Sequence, residues 1–287
     1  MNEAIDRMMA RYECRRLEDY LRALREILQE IALLGLWRSK FFERAAFYGG
    51  SSLRILHGLD RYSADLDFSL LAPDPGFDLE RYGAALKSEM RGFGFEVSVT
   101  SKPRREAAIR SAFIKADTLR ELLVIRTAEA AARKLAPGQV LKIKLEVDTD
   151  PPPGFDTESR FLLHPIAFSV RAYALPDLFA GKMHALLCRR WKNRVSGRDW
   201  YDLVWFVANH PRLHLDHLRR RMVQSGHLGS GEALTPAGLR GWLLEAIDRL
   251  DVARARSEVA DQVVDPGALA GWSRDLFRDV AGRIETV

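Results

Sequence analysis

The run Pro151-Pro152-Pro153-Gly154 constrains this chain more than any other feature, because neither a helix nor the interior of a sheet passes through it. The patterns on its two sides differ. Upstream, short apolar or alternating runs predict strands at 45–48 (AAFY), 64–71 (ADLDFSLL), 95–100 (FEVSVT) and 140–150 (VLKIKLEVDTD). Between them, helical spacing predicts helix over most of the first forty residues and at 52–58, 77–92 and 117–135. Downstream of about residue 176 the spacing is helical almost throughout, most clearly at 175–192 and 198–209. The expected architecture is therefore an α/β region of three or four strands over 1–154, then a mainly helical region over 155–287.

Bulk properties narrow the class. The 287 residues suffice for one large domain or two smaller ones, and 47% apolar with 29% charged residues is ordinary for a globular protein. No apolar run is long enough for a membrane span, and the N-terminus lacks a signal peptide's uncharged core. Two distant cysteines, Cys14 and Cys188, argue against a disulfide framework and for a reducing, cytoplasmic setting. The net charge of +5 is concentrated: residues 102–144 hold eleven Lys/Arg against four Asp/Glu, and 182–198 hold six basic residues and no acid. Such a field suits a polyanion, either nucleic acid or a nucleoside triphosphate, although a solvated basic face has the same composition.

The chemistry is concentrated in FYGGSSLRILHGLDRYSADLDF, residues 47–68. Asp65 and Asp67 alternate onto one face of a strand, leaving Leu66 and Phe68 for the core. Adjacent carboxylates repel, and a divalent cation relieves that; Mg²⁺ favours one or two carboxylates plus substrate phosphates. Gly49-Gly50-Ser51-Ser52 follows a strand and opens a helix, a place where free amides and a helix dipole can cradle a triphosphate. Arg61 either touches that triphosphate or holds the loop. A third acid is expected from KIKLEVDTD, where Lys142, Lys144, Glu146 and Asp148 share one face. Glu146 or Asp148 would serve as base or second-metal ligand, with Glu146 favoured because it lies further inside the strand. The competing reading is an edge strand blunted by charge.

A second constellation is LPDLFAGKMHALLCRRWKNRVSGRDWYDLVWF, residues 175–206. On one helix, Lys182, Ala185, Arg189 and Lys192 form a cationic ridge, expected to grip a triphosphate or an RNA backbone, beside an apolar stripe of Phe179, Met183, Leu186 and Leu187. Asp199 and Asp202 share a face of the next helix. A bridge from either to Lys182 or Arg189 would join the two helices. His184 has no ligand partner at metal-site spacing and reads as structural; Cys188 reads as a small packed residue.

These residues resemble a known family. GGSSLRILHGLDRYSADLDF is similar to the first motif of AbiEii-type nucleotidyltransferases, toxin components of abortive-infection and toxin–antitoxin systems, and KMHALLCRRWKNRVSGRDWYDL is similar to their lysine helix and Arg-Asp-x-x-Asp box. The resemblance implies an α+β, polymerase-β-like nucleotidyltransferase core, a small mixed sheet with helices, followed by a helical C-terminal region. It implies an NTP substrate, Mg²⁺ with Mn²⁺ as an alternative, a cognate antitoxin, and RNA as acceptor, in particular the 3′ end of tRNA. By position, Ser51 corresponds to the phosphate-loop hydroxyl, Asp65 and Asp67 to the metal ligands, Lys182 to the motif lysine and Asp199 to the later acid. The chain departs from the family in having Ser51-Ser52 where Thr-Ala is common. Two alternatives stand: transfer to a protein or small-molecule hydroxyl, and a non-catalytic nucleic-acid-binding module on the same fold.

Overall fold

The computed structural model describes residues 3–102, 108–116, 140–189 and 196–287. They form two compact units: Met1–His57 with Ala64–Pro151 and Ser159–Ala172, and Gly58–Ser63 with Pro152–Glu158 and Tyr173–Val287.

The first unit is built on a seven-stranded mixed sheet. Its strands are β1 (Ala45–Tyr48), β2 (Leu66–Leu70), β3 (Val97–Lys102), β4 (Ile109–Ala116), β5 (Leu141–Asp148), β6 (Thr157–Leu162) and β7 (Phe168–Tyr173), in the order β3-β4-β5-β2-β1-β7-β6. β2 runs parallel to β5 and antiparallel to β1. Alternation explains the core: Leu66, Phe68 and Leu70 of β2 and Leu141, Ile143, Leu145 and Val147 of β5 are buried. The Phe68 ring packs edge-on against Phe41 at 4.9 Å, and Phe41 against Tyr82 at 5.0 Å. β5 lies between β4 and β2, so the edge-strand reading of its charged face is overturned. The mixed sheet with its helices is the α+β core expected from the sequence.

The predicted N-terminal helix is two helices, α1 (Glu3–Met9) and α2 (Leu17–Arg38). The restart has a local cause. Arg16 is extended, and the Asp19 carboxylate accepts hydrogen bonds from the Arg15 and Arg16 amides at 3.1 and 2.8 Å, capping α2. From Glu26 to Leu36 every α2 residue is buried. Its acids enter the interior with partners: Glu26 with Arg54 at 2.7 Å, Glu30 with Arg11 at 2.8 Å. α3 (Gly49–His57) follows β1, and α4 (Gly83–Gly92) packs on α2. The helix predicted at 117–135 lies outside the described residues.

The second unit is helical: α5 (Leu175–Cys188), α6 (Gly197–Asn209), α7 (Leu215–Gln224), α8 (Pro236–Asp248), α9 (Val252–Val259) and α10 (Arg274–Gly282), with the short parallel pair β8 (Arg212–Leu213) and β9 (Glu285–Thr286). Thr235, Asp251 and Ser273 cap three of these helices through side-chain oxygens. Where α6 begins it lies against α9, and a Cβ on Gly197 would overlap the Ala255 carbonyl. Gly197→Ala is expected to cost about 1–3 kcal/mol of unfolding free energy, measured by urea denaturation. Gly241→Ala in α8, where a Cβ meets open space, is expected to cost nothing. Among the described residues, no helix is long and apolar enough to cross a membrane.

Candidate active site

The acidic pair stands at the end of β1 and the start of β2. Asp67 pairs with Tyr48 across the antiparallel β1–β2 ladder, which sets it beside the turn leaving β1. Gly49 makes that turn with φ +84, and a Cβ there would lie 2.5 Å from Asp67 Oδ2. Glycine is thus needed twice, for the backbone conformation and for the space Asp67 occupies. Asp65 immediately precedes β2, and both carboxylates are half-buried.

The parallel β2–β5 register sets Asp67 opposite Glu146 and Ser69 opposite Asp148. Side chains opposite one another on neighbouring strands share a face, with strands about 4.8 Å apart. Glu146 Oε1 is held by Lys144 at 2.6 Å and by the Ser111 hydroxyl at 3.3 Å. Asp148 lies further along the strand and accepts the Asp150 amide at 3.0 Å.

The two serines of the turn are fully buried. The Ser51 hydroxyl donates to the Asp65 carbonyl and accepts from Gln29 Nε2 at 3.3 Å. Its observed work is therefore to fix the loop that carries Asp65, rather than to present a hydroxyl outward as the sequence suggested. Ser52 Oγ has no partner among the described residues. What the turn offers a ligand is its part-exposed opening at Gly49, at the start of α3, where a helix leaves its first N–H groups unpaired.

Arg25 of α2 was not foreseen. Burial lowers its guanidinium from the ordinary arginine value, and the Asp65 charge acts against that. It supplies positive charge toward Asp65. Nothing local in LRALREIL marks it, since only tertiary packing brings α2 to the Asp65 loop.

In the second unit, Asp202 is the hub. Its carboxylate, fully buried, accepts both fork nitrogens of Arg61 at 2.7 and 2.6 Å and Lys182 Nζ at 2.7 Å. Burial alone would raise this carboxyl; the Arg61 and Lys182 cations outweigh it and hold it below the usual carboxylate range. Of the two roles open to Arg61, holding the loop is the one observed. Its neighbours do the same: Tyr201 donates to Asp60 at 2.7 Å, and the Tyr62 amide donates to the Gln262 carbonyl at 2.7 Å. Asp199 is buried, with its Oδ2 unpartnered among the described residues. The predicted cationic ridge is shorter than expected. α5 ends at Cys188, Ala185 is buried, and Arg189 is exposed on extended backbone, while Lys192 lies outside the described residues.

A mixed sheet flanked by helices, with paired carboxylates at a glycine turn that opens a helix, is a nucleotidyltransferase architecture. The comparisons agree. A family model described as nucleotidyl transferase AbiEii toxin, Type IV TA system, matches residues 31–279, and the chain belongs to that family. Among solved structures, the fold is similar to a crystal structure from H. pylori whose nucleotidyltransferase assignment is itself provisional, at TM-score 0.53 and 14% identity over 92% of this chain and 94% of that one. It is also similar to JHP933 from Helicobacter pylori, at TM-score 0.51 and 14% identity over 90% and 88% of the two chains. No curated protein matches. Arg25 lies outside the span of the family match.

Proposed function

We propose that this nucleotidyltransferase moves a nucleotide from an NTP to the 3′ end of a tRNA with Mg²⁺, and that this transfer is the toxic activity of a toxin–antitoxin pair. The observation that carries the reading is the register that brings Glu146 opposite Asp67, beside the Gly49 turn. Asp65, Asp67 and Glu146 offer only hard oxygen donors, the chemistry Mg²⁺ prefers and Mn²⁺ shares, and Gly49 keeps Asp67 clear. When bound, the ion would neutralise triphosphate charge and polarise the transferring phosphoryl group.

The chain's own residues then have these roles. The glycine turn at Gly49 and Gly50, where α3 starts, receives phosphate oxygens, and the buried Ser51 and Ser52 hold its shape. Arg25 balances charge at Asp65. Glu146 takes the proton from the acceptor hydroxyl as that oxygen bonds to the α-phosphorus and the bond to the departing pyrophosphate breaks. Asp148, whose register partner is Ser69 rather than Asp67, is the less suited base. The division of labour assigns this chemistry to residues 1–154. Residues 155–287 contribute the lysine helix with Lys182 and Arg189, and the Arg-Asp box with Asp199. RNA as acceptor is supported by the net charge of +5 and its basic stretches.

The test is a panel of each labelled NTP with total tRNA and Mg²⁺ or Mn²⁺, repeated with the double variant Asp65→Ala/Asp67→Ala. Label in tRNA with the intact chain, and at least about 10³-fold less with the variant, is the expected result. Label on protein would move the acceptor. No label with any NTP and either metal would sink the assignment.

A further inference from the structure

A cluster in the second unit has the makings of a site for a metal unrelated to nucleotide transfer. His184 and Cys188 are four apart on α5 and so share a face. α7 packs on α5, and the chain leaving α7 is folded back sharply. Gly226 adopts φ +72, its amide donates to the Val223 carbonyl at 3.0 Å, and the His227 and Leu228 amides donate to the Met222 carbonyl at 2.8 and 3.2 Å. This C-terminal cap returns His227 to α5. One ligand atom each from His184, Cys188 and His227 then lie within 4.8 Å of one another. The two imidazoles meet at 89°, and the Ser225 hydroxyl sits between them, 2.8 Å from His184 Nε2 and 2.9 Å from His227 Nδ1.

We propose that His184, Cys188 and His227 form a transition-metal site suited to Zn²⁺, which clasps the end of α5 to the turn after α7. Two imidazoles and a thiolate are the donors this ion favours, and a water or the Ser225 hydroxyl would complete a tetrahedron. With Zn–N of about 2.0–2.1 Å and Zn–S of about 2.3 Å, tetrahedral ligand atoms stand roughly 3.3–3.6 Å apart. The cluster therefore closes by about 1 Å, within reach of side-chain torsions.

Arg221 and Arg189 carry positive charge near His184. Binding releases the Cys188 thiol proton to solvent as the S–metal bond forms. The two arginines oppose a dication, and the thiolate offsets one unit of that charge. Cys188 is buried, while both histidines are part-exposed and give the ion a way in. Sequence spacing missed the site because His227 comes from a different helix end, 39 residues beyond Cys188 by numbering.

The test uses the reduced full-length chain titrated with Co²⁺ and then Zn²⁺. One Co²⁺ per chain, a thiolate-to-cobalt charge-transfer band, and loss of that band on adding Zn²⁺ are expected. Cys188→Ser should abolish the band and Cys14→Ser should keep it. His227→Ala, at a part-exposed position that folding tolerates, should weaken Co²⁺ binding at least tenfold with an unchanged far-UV circular dichroism spectrum. Absence of the band in the unaltered chain, its persistence in Cys188→Ser, or undiminished affinity in His227→Ala would overturn the proposal. All three readings are independent of nucleotide transfer.

Discussion

Asp202→Ala is expected to lower the unfolding free energy by about 3–5 kcal/mol, the cost of leaving buried cations without their counter-charge. Arg61 and Lys182 both lean on this one carboxylate, and their side chains are only 3% and 15% exposed. Lys182→Ala should cost much less, since the fork of Arg61 still pairs with Asp202. The effect depends on pH in a definite direction. The folded-state carboxyl lies below its unfolded value of about 3.9, so the stabilisation is complete above that pH and is lost as pH falls through the folded value. Urea denaturation of the three chains at pH 7 and near pH 3 checks both statements: the gap between the unaltered chain and Asp202→Ala should shrink at the lower pH. A gap that widened on acidification would contradict the pairing.

Gly49→Ala should reduce nucleotide transfer by about 100-fold while the protein remains folded. A non-glycine residue at φ +84 costs about 1–2 kcal/mol, which a folded domain survives. The added Cβ has a more specific consequence. Placed 2.5 Å from Asp67 Oδ2, it must push that carboxylate aside, and displacements near 1 Å in a reacting assembly cost about two orders of magnitude. Gly58→Ala provides the control. It shares a positive φ, +75, but meets no atom within 4 Å, so it should lose comparable stability and keep its transfer rate. Steady-state rates and thermal midpoints of the two variants separate backbone strain from displacement of Asp67.

The sequence disclosed what local periodicity controls. KIKLEVD could be read as a two-sided strand because its apolar face is continuous, and the Gly-Gly turn before a helix because glycine leaves few other readings. β4, β6 and β7 were not anticipated. In β6 the more buried face begins with the polar Glu158 and Arg160 while the apolar Phe161 lies on the exposed face, so burial alternates at the sheet's edge but polarity does not. The sheet therefore continues past the proline run that looked like its end. Long-range pairings were also beyond local pattern. Lys182 with Asp202 was among the bridges expected from helix faces, but Arg61 reaches the same acid across 141 residues. Arg25 beside Asp65 and His227 beside Cys188 belong to the same category, in which packing of distant helices creates neighbours that spacing does not record.

Single-turnover transfer to the tRNA 3′ end probes Asp67 and its register partner Glu146. With Mg²⁺ and saturating NTP, Asp67→Asn and Glu146→Gln, which keep size and fold, should each slow pyrophosphate release and 3′-end extension by at least about 100-fold. Asp148→Asn should stay within a few-fold of the unaltered chain. Undiminished extension in Asp67→Asn, or a loss confined to Asp148→Asn, would mean that Asp67 and Glu146 do not carry the reaction.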